Sequence, residues 1–128
     1  MGPVALDANV LIGFLDSTDA LHARAVDTLG SLLEAGAEVV VPASAYAEVL
    51  VHAFREGDED HVEGLVDHAP LTVVAVDRPA ARLAASLRAS HRWLTLADAL
   101  VLAVAQSRRA ELVTFDEQLG RLATSSPR

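Results

Sequence analysis

The stretch VALDANVLIGFLD, residues 4–16, places a carboxylate directly after a short apolar run. Residues 4–6 predict a buried β-strand, and the spacing of Val10 and Phe14 predicts a helix that follows it at once. A charged group is costly to bury unless it is paired or hydrogen-bonded. Asp7, at the junction of these two elements, therefore requires a partner elsewhere in the fold.

Length and composition favour one compact domain, residues 1–128, with 52% hydrophobic residues. The absence of cysteine excludes disulfides, zinc–thiolate sites and iron–sulfur clusters. The longest apolar run, ALVLAVA at 99–105, is much shorter than the roughly 20 residues of a membrane span. We therefore expect a soluble, cytoplasmic protein that does not enter the membrane.

The charged residues exclude several chemistries. The formal net charge is −8, and all ten basic residues are arginine. Without lysine the chain cannot form a Schiff base or supply the lysine of a P-loop, of a phosphoacceptor receiver domain or of a dehalogenase-type phosphatase. An acidic chain also lacks a broad basic surface, so any contact with nucleic acid must be local.

Strand and helix patterns alternate along the chain. Strand patterns lie at 4–6, 38–42, 70–76 and 111–115. Helix patterns follow Asp7 and lie at 19–36, 43–57, 62–67, 80–90, 95–109 and 117–122, the first of these six capped by Ser17 or Asp19. Strands separated by helices predict an α/β fold, a three-layer α/β/α sandwich with a central parallel sheet.

Four acidic residues fall near the carboxyl edge of this predicted sheet, where ligands bind in such folds. Asp7 and Asp116 directly follow strands. Glu48 lies near the second turn of the helix that leaves the second strand. Asp98 lies in the first turn of a helix that is apolar nearly all round, so we expect it to be buried.

Each acid also has a purely structural explanation. Thr95 and Asp98 fit a capping box, Asp116 and Asp7 can cap helices, and Glu48 can lie on a solvated helix face. The shared position of all four acids at one edge of the sheet favours a cluster.

A cluster of like charges is stable mainly when a cation neutralises it. None of the five histidines lies beside these acids in the sequence, so the expected ligands are oxygen atoms, which suit Mg²⁺ or Mn²⁺. Two such ions held by shared carboxylates commonly hydrolyse phosphodiesters.

The segments LDANVLI, PASAYAEVL, TLADALVLAVA and LVTFDEQL, in this order, resemble those of PIN-domain ribonucleases, and the chain is similar in length and layout to the VapC-type toxins of that family. The resemblance implies a Mg²⁺- or Mn²⁺-dependent endoribonuclease that a VapB-type antitoxin inhibits. It makes Asp7, Glu48, Asp98 and Asp116 the catalytic, metal-binding acids.

The same resemblance assigns supporting positions to Asn9 and Thr114, with Ser44 as a further candidate that an ordinary helix serine explains equally well. We also expect a homodimer that acts on RNA. A non-catalytic PIN-like module that binds RNA or protein is the alternative. No arginine is assigned to RNA binding, because the arginine positions considered also suit solvated helix faces or helix ends.

Overall fold

The computed structural model describes residues 2–125. The predicted single-domain range 1–128 also includes Met1 and residues 126–128, which lie outside the described part. The strands are β1 (Val4–Leu6), β2 (Val39–Pro42), β3 (Leu71–Val74) and β4 (Glu111–Val113). The helices are α1 (Ala8–Leu15), α2 (His22–Glu34), α3 (Ala43–Glu56), α4 (Glu59–His68), α5 (Arg78–Ser90), α6 (Leu96–Ser107) and α7 (Glu117–Ser125).

The four strands form one parallel sheet in the order β3-β2-β1-β4. Val4 of β1 pairs with Val39 on one side and with Glu111 on the other. Because β1 lies between two neighbours, the residue that follows it, Asp7, emerges at the middle of the carboxyl edge.

Alternate residues of the central strands point to opposite faces of the sheet, and each face is covered by helices. Leu6 and Val41 belong to a buried cluster with residues of α1, α2 and α3. Ala5 and Val40 belong to a second cluster, with Ala80 of α5 and residues of α6. The predicted three-layer α/β/α sandwich is therefore confirmed.

Several predicted limits are wrong: β3 and β4 each end two residues earlier than expected, α7 ends three residues later, and two helices begin elsewhere. The helix expected at 19–36 begins at His22, and its N-cap residue, Leu21, makes no side-chain capping bond. Asp19 instead accepts a hydrogen bond from the backbone N–H of Leu21 (2.8 Å), which forms a turn before the helix. The helix expected at 62–67 runs from Glu59 to His68, because its acidic first turn is favourable at a helix N-terminus.

Other boundaries follow the local chemistry of the sequence. Asp77 caps α5 by accepting a hydrogen bond from the N–H of Ala80 (3.0 Å). Gly57 ends α3 with φ +74°, a left-handed conformation that glycine adopts without a steric penalty. Among the described residues, no helix is both long and apolar enough to cross a membrane.

Candidate functional site

Asp7 is buried, with 5% of its surface exposed, at the junction between β1 and α1. Its backbone N–H donates to the carbonyl of Val113 (3.0 Å), which ties the end of β1 to the end of β4. Its Oδ1 accepts a hydrogen bond from the N–H of Ala8 (2.8 Å) and so caps α1. The capping explanation therefore accounts for one carboxylate oxygen, and the second oxygen points to another partner.

That partner is Thr114, which directly follows β4. The Thr114 hydroxyl donates to Oδ2 of Asp7 (2.7 Å). The Thr114 hydroxyl oxygen, Oγ1, also accepts hydrogen bonds from Nδ2 of Asn9 (3.2 Å) and from the backbone N–H of Asp116 (3.1 Å). Asn9 Oδ1 in turn accepts from the N–H of Phe115 (3.2 Å). The structure thus brings Asn9 and Thr114 together with Asp7.

The three bonds at Thr114 use the full capacity of its hydroxyl, one donor and two acceptor lone pairs. With both lone pairs occupied by N–H donors, the hydroxyl proton is directed to Asp7. A fixed hydroxyl therefore fixes the orientation of the Asp7 carboxylate.

Asp98 and Asp116 have both structural and electrostatic roles. Thr95 accepts a hydrogen bond from the N–H of Asp98 (3.1 Å) and caps α6, while Asp116 Oδ1 accepts from the N–H of Leu119 (3.0 Å) in the first turn of α7. Asp98 is half-buried rather than fully buried as expected, because α6 is covered from Ala99 onward but begins at the edge of the sheet.

Asp7 and Asp98 each lie within electrostatic reach of Asp116 and of Glu48. Burial raises the pKa of Asp7, the hydrogen bonds from Thr114 and Ala8 lower it, and the charge of Asp116 raises it. Partial burial of the carboxylate is the largest cause that raises the pKa of Glu48, and the negative charges of Asp7 and Asp98 raise it further. The residue as a whole is nevertheless exposed to solvent.

The pKa of Asp98 is raised by burial and by the charge of Asp7. A hydrogen bond with Thr95 lowers it, and the charge of Asp116 raises it. The charges that perturb Asp7, Glu48 and Asp98 are therefore all carboxylates, and each raises the cost of ionisation.

The side chains fit Mg²⁺ or Mn²⁺ in donor type, but they do not form a closed cage. Within residues 2–125, no three histidine, aspartate or glutamate side chains are grouped closely enough to hold a metal ion by themselves. The donors present are carboxylate oxygens, together with the Ser44 hydroxyl one helical turn before Glu48. Ser44 Oγ is buried and has no hydrogen-bond partner among the described residues, which suits a ligand or a bridged water.

Sequence reasoning missed one side chain near this site. The guanidinium carbon of Arg24, in α2, lies 4.4 Å from the centre of the Phe115 ring. Phe115 stands between Thr114 and Asp116, but no local sequence pattern links it to a residue of α2.

Comparisons with known proteins identify the family. The sequence matches the PIN domain family over residues 4–124. A search of curated proteins gave no match. A toxin–antitoxin complex from Klebsiella pneumoniae is similar at 27% identity and a TM-score of 0.69, covering 87% of this chain and 84% of that one.

Two further solved structures share the fold. The sarcin–ricin loop cleaving toxin VapC20 of Mycobacterium tuberculosis has 14% identity and a TM-score of 0.77, covering 93% of this chain and 94% of that one. FitAcB of Neisseria gonorrhoeae has 21% identity and a TM-score of 0.72, covering 94% and 93%. The family match spans nearly the whole chain, and the fold agrees with it: the chain belongs to the PIN domain family.

Proposed function

We propose that this chain is a Mg²⁺- or Mn²⁺-dependent endoribonuclease that acts as the toxin of a toxin–antitoxin pair. Membership of the PIN domain family supports nuclease activity. Similar structures include a toxin–antitoxin complex and a sarcin–ricin loop cleaving toxin. A VapB-type antitoxin and a second copy of the chain are the protein partners in this proposal, and the cytoplasm is its compartment.

The observation that carries the proposal is the hydrogen-bonded arrangement of Asp7, Thr114 and Asp116 at the carboxyl edge, within electrostatic reach of Glu48 and Asp98. A buried carboxylate with a raised pKa weakens a fold unless something compensates its charge. The three raised pKa values therefore support a site whose ionised form is stabilised by a cation.

The chain's own residues have distinct roles in this mechanism. Asp7, Glu48, Asp98 and Asp116 hold the ions, and Thr114 with Asn9 fixes the direction of the Asp7 carboxylate. Ser44 supports the site through its unpaired hydroxyl. When bound, the divalent ions supply positive charge that activates water for attack on the scissile phosphate and stabilises the leaving oxygen.

The competing function is a PIN-like module that binds RNA or protein without cleaving it. The presence of all four acids favours catalysis, since a binding module has no need to keep four mutually repelling carboxylates together. The two functions differ in one measurable respect, which is metal-dependent cleavage.

The test is incubation of the purified protein with an RNA pool in Mn²⁺, with EDTA added to a parallel sample. We expect cleavage in Mn²⁺ and none in EDTA. Asp98→Asn keeps the shape of the side chain and the hydrogen bond from the residue 98 backbone N–H to Thr95, but it removes a carboxylate that would bind the metal ion. It should lose at least about 100-fold in rate, since changes even behind the ligands cost 10- to 100-fold. Intact RNA in Mn²⁺, with antitoxin absent, would support the binding module instead.

A further inference from the structure

Arg24 is an exposed cation with an unusual set of contacts. Its guanidinium carbon lies 4.4 Å from the centre of the Phe115 ring, within the range of a cation–π interaction. In the described part of the chain, the ion pairs are His52–Asp16 and Arg121–Glu117. Arg24 therefore has no carboxylate partner there, and the residue is exposed.

The stability of α2 does not explain this arginine. The helix begins at His22, so Arg24 lies in its first turn. The positive end of the helix dipole is located there and favours acidic side chains over basic ones. The cation–π contact contributes only about 0.5–1 kcal/mol at an exposed position. A neutral helix-forming residue would serve α2 as well, so the charge of Arg24 calls for a different role.

Phe115 links Arg24 to the acid cluster. It follows Thr114 and precedes Asp116, and its N–H is held by Asn9 Oδ1 (3.2 Å). Neighbouring Cα atoms are about 3.8 Å apart, so the ring is anchored one residue away from two side chains of the site. The ring thus holds the guanidinium of Arg24 against the segment that carries Thr114 and Asp116.

We propose that Arg24, seated on Phe115, binds a backbone phosphate of the RNA beside the one that is cleaved. This inference rests on the proposed ribonuclease function. A chain of net charge −8 repels RNA, and the charges that act on Asp7, Glu48 and Asp98 are negative. A guanidinium offers a planar fork of donors that matches a phosphate, and the ring limits the orientations that the guanidinium adopts.

The test is RNA affinity measured without catalysis. The probe is a short fluorescein-labelled single-stranded RNA, titrated in EDTA at low salt and followed by fluorescence anisotropy. The variants are Arg24→Ala and Arg24→Lys, with Arg108→Ala as the matched control. Arg108 is also exposed, and it follows α6 ten positions after Asp98, about 15 Å away along the helix.

We expect Arg24→Ala to raise the dissociation constant roughly tenfold, as for the loss of one charge-assisted hydrogen bond. The slope of log affinity against log salt should fall by about 0.7, the contribution of one phosphate on a single strand. Arg24→Lys should restore the slope but only part of the affinity, because an ammonium lacks the planar fork. Arg108→Ala should match the wild type, and all three variants should keep its melting temperature to within about 2 °C.

The outcomes separate this inference from the proposed function. If Arg24→Ala binds RNA as Arg108→Ala does, or if the wild type does not bind the RNA, the inference is overturned even where Mn²⁺-dependent cleavage is present. If Arg24→Ala alone weakens binding but the wild type never cleaves RNA in Mn²⁺, the nuclease function fails, and with it the placement of Arg24 beside a cleaved phosphate, while the contact between Arg24 and the RNA backbone holds. In cleavage assays the inference requires a higher KM for Arg24→Ala with kcat changed less.

Discussion

Replacing Thr114 by valine tests the hydrogen-bond network that orients Asp7. Valine has nearly the shape of threonine but no hydroxyl, so three hydrogen bonds disappear together. Each contributes about 0.5–1.5 kcal/mol net. Because Thr114 is only partly buried, we expect the free energy of unfolding to fall by about 2–3 kcal/mol.

For a domain of this size, that loss corresponds to a fall in Tm of roughly 6–12 °C. The pKa of Asp7 should also rise further, because the Thr114 hydroxyl is the hydrogen-bond donor that lowers it most. Thermal melts followed by circular dichroism measure the first effect, and ¹³C NMR titration of the Asp7 carboxyl group measures the second.

Thr114→Ser is the matched control, since it keeps the hydroxyl and removes only a methyl group. It should retain the pKa of Asp7 and lose less stability than Thr114→Val. Equal melting temperatures for the wild type and Thr114→Val, with an unchanged pKa of Asp7, would refute the role assigned to the hydroxyl.

Three further predictions concern charge, metal and backbone. In metal-free protein, Asp7, Glu48 and Asp98 have pKa values raised above the ordinary 3.8 to 4.5, so their contribution to stability is complete below those ordinary values and is lost as pH rises through the raised ones; Glu48→Gln should flatten this loss in urea melts taken at increasing pH from below those ordinary values upward. MgCl₂ at about 100 times its dissociation constant should add about 2.7 kcal/mol to the free energy of unfolding, which corresponds to a rise in Tm of roughly 4 °C or more. NaCl at matched ionic strength should not raise Tm, and the rise with MgCl₂ should be smaller for Asp116→Asn, which keeps the cap on α7. Gly57→Ala should lower the free energy of unfolding by about 1 kcal/mol because Gly57 has a φ of +74°. Gly30→Ala should raise it by roughly 0.5–1 kcal/mol, because Gly30 lies inside α2 with open space around it, and the reverse order in denaturant melts would contradict the backbone argument.

The layered fold was predictable because its signals are local. Short apolar runs alternate with helical periodicity, and turn residues such as Gly57 mark the ends of elements. The start of α2 was not predictable in this way, because Asp19 can cap a helix or form a turn with Leu21. Tertiary packing decides between these two local bonds.

The site was predictable only in part, because some of its contacts depend on tertiary packing rather than on local sequence. The carboxyl edge of a parallel sheet is a topological property, so strand ends indicate which acids come together. The contact between Thr114 and Asp7 joins residues far apart in the chain, and the contact between Arg24 and Phe115 joins a helix to a loop. No sequence periodicity encodes such pairs, and the partial exposure of Asp98 depends on where α6 meets the edge of the sheet.

Mn²⁺ binding tests the central claim most directly. The signal of the free aqueous ion in electron paramagnetic resonance falls as protein binds it, so a titration gives affinity without RNA. We expect saturable binding by the wild type and a loss of at least about tenfold in affinity for Asp98→Asn and for Glu48→Gln. Asp60→Asn, which removes an exposed acid from the first turn of α4, should bind as the wild type does. Equal Mn²⁺ affinity in all four proteins would contradict the claim that these acids form the metal site.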